Sequence, residues 1–220
     1  MIKAIIFDLD GTLIDSDPCW KEADFLFAKE YGFPLTEEFT KQLSGLGIRE
    51  SAQLFIEEYN LKETIESFMS LREKYLYKIL LTKLKLMPFV EEILNKLKTK
   101  NYILALATAG HGTEITIKIL QKLSVRHYFN FVISGLEVKN SKPAPDIYVY
   151  VANKMGLQPN ECIAIEDTVN GVLSGKAAGM KVIGINIDEK IRDKLKTAGA
   201  DYVFKDLNIP ENLLNNLYST

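Results

Sequence analysis

The 220-residue sequence predicts an α/β fold, a doubly wound parallel sheet with a small helical-bundle cap domain inserted after its first strand. Three observations carry that expectation. Short apolar runs recur along the chain and read as buried strands, and most are followed by a helical pattern. The first of these, Ala4–Phe7, runs straight into acidic residues. Between it and the second lie about seventy residues with helical spacing alone.

Taken in order, Ala4–Phe7 is continuous and Ile-rich, the pattern of a strand buried on both faces. Asp17-Pro18 reads as a helix start, with Asp17 as N-cap and Pro18 at the first helical position. Trp20, Phe27 and Tyr31 follow at helical spacing until Gly32. Further helices are expected over about 36–43, 50–59 and 62–81, the last with Phe68, Leu71, Tyr75 and Ile79 on one face. Four amphipathic helices in succession make a bundle. It occupies residues 15–83 as a cap, and residues 1–14 with 84–220 form the core. There Pro88 suits the first turn of a helix ending near Lys100. Strands are expected at about 102–108, 129–134, 161–166, 182–185 and, at an edge, 202–204. Helices are expected at about 114–123, 145–155, 169–178 and 190–197, with one more after Ile209.

Hydrophobic residues make up 47% and charged ones 25%, an ordinary globular balance. A net charge of −2 gives no reason to expect nucleic acid or an anionic membrane as partner. Ile2–Phe7 is too short for a signal core or a membrane span, and no later apolar run is long enough. Cys19 and Cys162 have no CxxC spacing, which argues against a disulfide framework or a zinc site. The expectation from these is a cytoplasmic protein.

The chemistry gathers at strand ends, where an open α/β sheet binds its ligand. Asp8 and Asp10 are two residues apart, so an extended chain points both carboxylates the same way. Charges about 5 Å apart repel by roughly 3 kcal/mol at an effective dielectric of 20, so such a pair calls for a cation or a shared proton. Gly11 lets the chain turn, and Thr12 offers a hydroxyl and an amide at the mouth. Thr108 ends the second strand, where a hydroxyl and free amides suit a phosphate oxygen, although a plain strand-to-helix turn explains it too. Lys142 precedes a rigid Pro-x-Pro at a helix start, which could hold its ammonium against negative charge. Glu166 and Asp167 end the fourth strand and repeat the acidic pattern of the first; Asp167 or Thr168 could equally be only an N-cap.

Asp8-Leu9-Asp10-Gly11-Thr12, Thr108, Lys142-Pro143 and Glu166-Asp167, in that order, resemble the haloacid dehalogenase-like phosphatase superfamily. The position of the cap resembles its branch of sugar-phosphate phosphatases and β-phosphoglucomutase. The resemblance implies a phosphatase for small phosphate monoesters, sugar or polyol phosphates above all. Asp8 would be the nucleophile, forming an aspartyl phosphate, and Asp10 the acid and base. Mg²⁺ would be held by Asp8, the Asp10 carbonyl and Asp167, with Glu166 helping directly or through water. An acidic set with no nearby His or Cys cluster suits that hard cation rather than zinc. Thr108, Lys142 and the amides around Leu9 and Ala109 would bind the remaining phosphoryl charge. Dehalogenases of the superfamily lack the second aspartate, so Asp10 argues against that activity.

In the cap, Gln42–Glu50 resembles the branch's substrate loop, with Gly45 in it and Arg49 gripping the part of the substrate that is not transferred. A solvated arginine near a helix start is the plainer reading. The mutase carries a histidine where this chain has Trp20, and serine, lysine and asparagine where it has Gly110-His111-Gly112; both departures favour a phosphatase. Trp20 and His111 are expected near the mouth, within reach of substrate. The alternatives are a hexose-phosphate mutase on the same core and, from another class, a non-catalytic phospho-acceptor or phosphometabolite-binding protein. Receiver domains, the familiar phospho-acceptors, are about half this length and do not carry the acceptor on the first strand.

Overall fold

The computed structural model describes residues 1–43 and 45–213, apart from the side chain of Leu81. Among them, strands β1 (Ala4–Phe7), β2 (Ile103–Thr108), β3 (Phe131–Ser134), β4 (Cys162–Glu166), β5 (Lys181–Ile185) and β6 (Tyr202–Phe204) form one parallel sheet. The order is β3-β2-β1-β4-β5-β6, so the winding reverses between β1 and β4. Helices α1 (Asp17–Tyr31), α2 (Glu37–Leu43), α3 (Ile48–Tyr59) and α4 (Ile65–Lys83) lie between β1 and β2. The core helices are α5 (Val90–Thr99), α6 (Thr113–Lys122), α7 (Asp146–Lys154), α8 (Val169–Ala177) and α9 (Glu189–Thr197).

Alternation along each strand divides the core. Ile5, Phe7, Leu104, Leu106, Ile163 and Ile165 face one layer, covered by α5 and α6 and reached by Leu76 and Leu80 of α4. Ala4, Ile6, Ala105, Ala107 and Ala164 face the other, under Ile147, Tyr148 and Val172 of α7 and α8. The cap has its own aromatic core. The Phe27 ring lies 4.4 Å from Tyr31, 4.8 Å from Phe68 and 6.1 Å from Tyr75 between centroids. Two chain crossings join cap to core, and they run side by side: Asp15 N donates to Lys85 O (3.0 Å), and Met87 N to Leu13 O (2.9 Å).

Several boundaries move for local reasons. Ser16, not Asp17, is the N-cap of α1. Helix α3 starts at Ile48, with Gly47 as N-cap, so Arg49 lies in its first turn. Helix α4 starts later than hydropathy suggests because Thr64 caps it, accepting from Ser67 N at 3.2 Å. Helix α5 begins after Phe89, which is left-handed (φ 66°), so Pro88 precedes the helix. A 3-10 turn at Arg126–Tyr128 delays β3 to Phe131. The helix expected after Ile209 lies mostly in residues 214–220, outside the described residues. No helix among those described is long and apolar enough to cross a membrane.

Phe27→Ala empties the centre of the cap cluster, and a loss of about 3–5 kcal/mol in unfolding free energy is expected by urea denaturation.

Candidate active site

Register brings the acidic strand ends level. Phe7 pairs with Ile165 on one side and Leu106 on the other, so Asp8, Glu166 and Ala107 leave the sheet together at the point of reversal. Asp8 N is held by Ile165 O at 2.9 Å. The following turn needs Gly11 twice over. Its φ is +77°, and a Cβ there would lie 2.1 Å from Asp167 Oδ2. Thr12, expected at the mouth, is fully buried, and its hydroxyl has no hydrogen-bond partner.

Lys142 reaches in from the loop before α7 and is buried. Its Nζ donates to Asp8 Oδ1 (2.6 Å), Glu166 Oε1 (2.7 Å) and Ala107 O (3.2 Å), which uses all three ammonium hydrogens. Ser174 Oγ braces that loop by donating to Ala144 O at 2.6 Å. Burial pushes the Asp8 carboxyl up to about 8, with Lys142 opposing and Glu166 and Asp10 adding to the rise. Burial, and then the charges of Asp8 and Glu166, push Asp167 well above its ordinary range. The Lys142 ammonium is raised despite its burial, because Asp8 and Glu166 flank it.

Oxygens of Asp8, Glu166 and Asp167 lie within 4.8 Å of one another, and Asp167 Oδ1 is buried without a hydrogen-bond partner. A crowded oxygen set with one orphaned carboxylate atom fits a hard divalent cation. Glu166 Oε1 already accepts from Lys142 and from Tyr148 Oη (2.5 Å), so it has less capacity for a metal than its neighbours.

The Asp10 carboxylate is absent from that group and faces the cap. Its Oδ1 accepts from Trp20 Nε1 at 3.2 Å and meets His111 Nε2 at 3.1 Å; Thr108 Oγ1 is 3.5 Å from Oδ2. Burial would raise its pKa, but the charge and hydrogen bond of His111 outweigh this and bring it to about 2. Both residues that sequence places near the mouth bear on this carboxylate. His111 is fully buried, and its ring stacks on Trp20 with centroids 5.3 Å apart. Trp20 directs its N–H at Asp10.

The cap loop rests on the core. Asn170 Nδ2 donates to Gly45 O (3.0 Å) and Ile48 N to Ala109 O (3.0 Å). Arg49 is exposed and paired with Glu66 at 3.0 Å, yet it lines a pocket of about 90 Å³ with Ala109, Leu136, Lys139 and Ser141. The Leu9 side chain is fully buried, which leaves only its backbone for a ligand.

Two features escaped the sequence reading. Tyr148 holds Glu166, and its only trace is a tyrosine on the apolar face of α7, where a buried hydroxyl needs a partner. Arg72 pairs bidentately with Asp24 (2.7 and 2.9 Å) and donates to Ser51 Oγ (2.8 Å), all buried in the cap. Asp24 is four residues beyond Trp20 and Arg72 four beyond Phe68, so opposite charges interrupt two neighbouring apolar stripes.

The family profile described as haloacid dehalogenase-like hydrolase matches residues 5–185. The chain belongs to that family. A phosphorylated carbohydrates phosphatase of Thermotoga maritima is 33% identical over 215 residues, covering 97% of each chain. A β-phosphoglucomutase of Bacillus subtilis is 28% identical, over 84% of this chain and 83% of that one. A β-phosphoglucomutase structure from Clostridium difficile superposes with a TM-score of 0.83 at 24% identity, over 100% of this chain and 98% of that one. At that identity it shows the shared fold alone. In this hydrolase the acidic strand ends and Lys142 thus lie where sequence placed them, whereas Asp10 has cap-side partners that sequence did not reveal.

Lys142→Met removes the cation that two buried carboxylates share. A loss of about 3–5 kcal/mol is expected in denaturant unfolding at neutral pH.

Proposed function

We propose that this chain is a Mg²⁺-dependent phosphatase of small phosphate monoesters, sugar or polyol phosphates, acting through an aspartyl phosphate on Asp8. One observation carries the reading: Asp8, Asp10, Thr108 and Lys142 converge at the strand ends, with Lys142 at 2.6 Å from Asp8 Oδ1. Lys142 occupies Oδ1, so Oδ2 is the oxygen left to attack phosphorus. As the Asp8–phosphorus bond forms and the ester bond breaks, Asp10 passes a proton to the departing alkoxide. Its pKa of about 2 is that of the site without substrate, and the phosphoryl charge beside Asp10 must raise it for this step. Asp10 then takes a proton from the water that attacks phosphorus and frees Asp8. Thr108, Lys142 and the backbone at Leu9 and Ala109 hold the phosphoryl oxygens. Asp8, Asp167 and the Asp10 carbonyl would hold the cation, with Glu166 helping through water or directly by Oε2, since Lys142 and Tyr148 take its Oε1. When bound, the cation neutralises charge on the phosphoryl group.

Residues 15–83 act in this reading as the cap domain on a core of 1–14 and 84–220, with Gly45 and Arg49 facing the non-transferred part of the substrate. Arg49 beside the pocket at Ala109 supports that role. The similarity to the Thermotoga phosphatase supports carbohydrate phosphates as the class. The reading is of a monomer that works on a small phosphorylated metabolite. Two unpaired cysteines suit a cytoplasmic setting, and the net charge of −2 argues against nucleic acid or an anionic membrane as partner. The B. subtilis relative keeps the mutase in view, but Gly110 and Gly112 supply no side chain to hold a hexose phosphate.

Phosphate release from a panel of sugar, polyol and nucleotide monophosphates tests the proposal. Wild type should release phosphate with Mg²⁺ and not with chelator, and Asp8→Asn should be silent. Isomerisation of β-glucose 1-phosphate with a bisphosphate primer, without net release, would favour the mutase. A second test uses the raised Asp8 carboxyl, at about 8. Below that pH the cation must displace a proton from Asp8, as it must from the raised Asp167, so its apparent affinity should rise with pH by about tenfold or more per unit. Titration calorimetry in buffers of different ionisation enthalpy should detect protons released on cation binding at neutral pH, from Asp8 and from the likewise raised Asp167. A flat affinity with no proton release would contradict the assignment of Asp8 as a ligand.

A further inference from the structure

We propose that Trp20 and His111 are positioning residues that clamp Asp10 by its Oδ1 and leave Oδ2 as the oxygen turned to substrate. The inference rests on the phosphatase reading for what Asp10 does, and on geometry for how Asp10 is held. Trp20 Nε1 donates to Oδ1 at 3.2 Å and His111 Nε2 lies 3.1 Å from the same atom. An indole N–H can only donate, and a carboxylate can only accept from it, so Oδ1 is taken. Among the described residues, Oδ2 has Thr108 Oγ1 at 3.5 Å, beyond a good O–H···O length, and the Ser16 side chain also bears on this carboxylate. An aspartate on a turn has two free side-chain torsions; two donors on one oxygen remove that freedom and aim the other oxygen.

Each donor is itself fixed. Trp20 stacks on His111, and the Arg72 guanidinium lies 4.6 Å from its ring centroid, locked by the buried pair with Asp24. The backbone of His111 is tied by Ser134 Oγ donating to its carbonyl (2.7 Å), and the next amide donates to Glu73 Oε1 (3.2 Å). Gly110 makes the room. A Cβ there would lie 2.7 Å from Asp10 Oδ2 and 3.5 Å from Trp20 Cζ2. Gly110, His111 and Trp20 therefore form one matched set, with one donor from the core and one from the cap. The cap thereby orients the acid as well as covering the site.

In the step this serves, the proton leaves Oδ2 for the ester oxygen as the ester bond breaks and the bond from Asp8 to phosphorus forms. The test compares Trp20→Phe, His111→Leu and His111→Gln by kcat/KM, which reports only steps up to departure of the leaving group. An alkyl leaving group, as in a sugar phosphate, needs that proton; p-nitrophenolate does not. Trp20→Phe and His111→Leu should lose about tenfold or more on sugar phosphates and about twofold or less on p-nitrophenyl phosphate. His111→Gln, which can keep an N–H towards Oδ1, should recover most of the loss. Equal losses on both substrates, or a Gln variant no better than Leu, would overturn the clamp while the phosphatase reading stands. Wild type silent on every ester would instead overturn the phosphatase reading, and the catalytic part of the clamp with it. Trp20 is the only tryptophan, so its emission reports on the clamp without any substrate. Acrylamide quenching should rise in His111→Leu and stay near wild type in His111→Gln; unchanged quenching in the Leu variant would overturn the clamp.

Discussion

Three carboxylates, from Asp8, Glu166 and Asp167, are drawn together at the reversal of the sheet with one ammonium, Lys142, among them. The charge is unbalanced as it stands, and the surroundings are largely closed to water. Coulomb repulsion that would be minor in solvent is large there, and the raised carboxyls of Asp8 and Asp167 express it. Much of the local structure reads as a response. The three hydrogens of Lys142 are all engaged, Tyr148 braces Glu166, and Gly11 is bare of a side chain so that Asp167 can approach. What remains unsatisfied, Asp167 Oδ1, is the part a cation would complete.

That cluster also explains why the fold is arranged as it is. A parallel sheet delivers strand ends to one edge, and the reversal between β1 and β4 leaves a crevice there with no crossover above it. Alanines on one face let α7 and α8 pack close, and α7 carries Tyr148 to Glu166. The bulkier face supports α5, α6 and the lower end of α4, so the cap is seated on the same core that holds the acids.

Asp10 differs from its neighbours in how its charge is met. Its carboxylate turns from the cation cluster to an indole and an imidazole, backed by a buried Arg72–Asp24 pair within the cap. A buried ion pair of this kind adds little stability by itself and is better understood as fixing one arrangement. Here the arrangement it fixes is the plane of Trp20. Asp8 and Asp10, two residues apart in sequence, thus have their carboxyls shifted in opposite directions, Asp8 upward by burial and Asp10 downward by His111.

Much of this was legible in the chain. The apolar runs, their spacing from helical segments and the acidic residues closing β1 and β4 set the sheet, the insertion and the residues of the cation cluster. These depend on local periodicity and on residue type, which a sequence displays directly. The partners of Asp10 were not legible, because Trp20, His111 and Arg72 approach it from elements whose relative placement no local pattern encodes. Sequence offered Trp20 and His111 only as residues near the mouth; packing brings both side chains to one oxygen of Asp10. Composition and periodicity therefore determined which groups meet at the strand ends, and tertiary packing alone decided which of them hold one another.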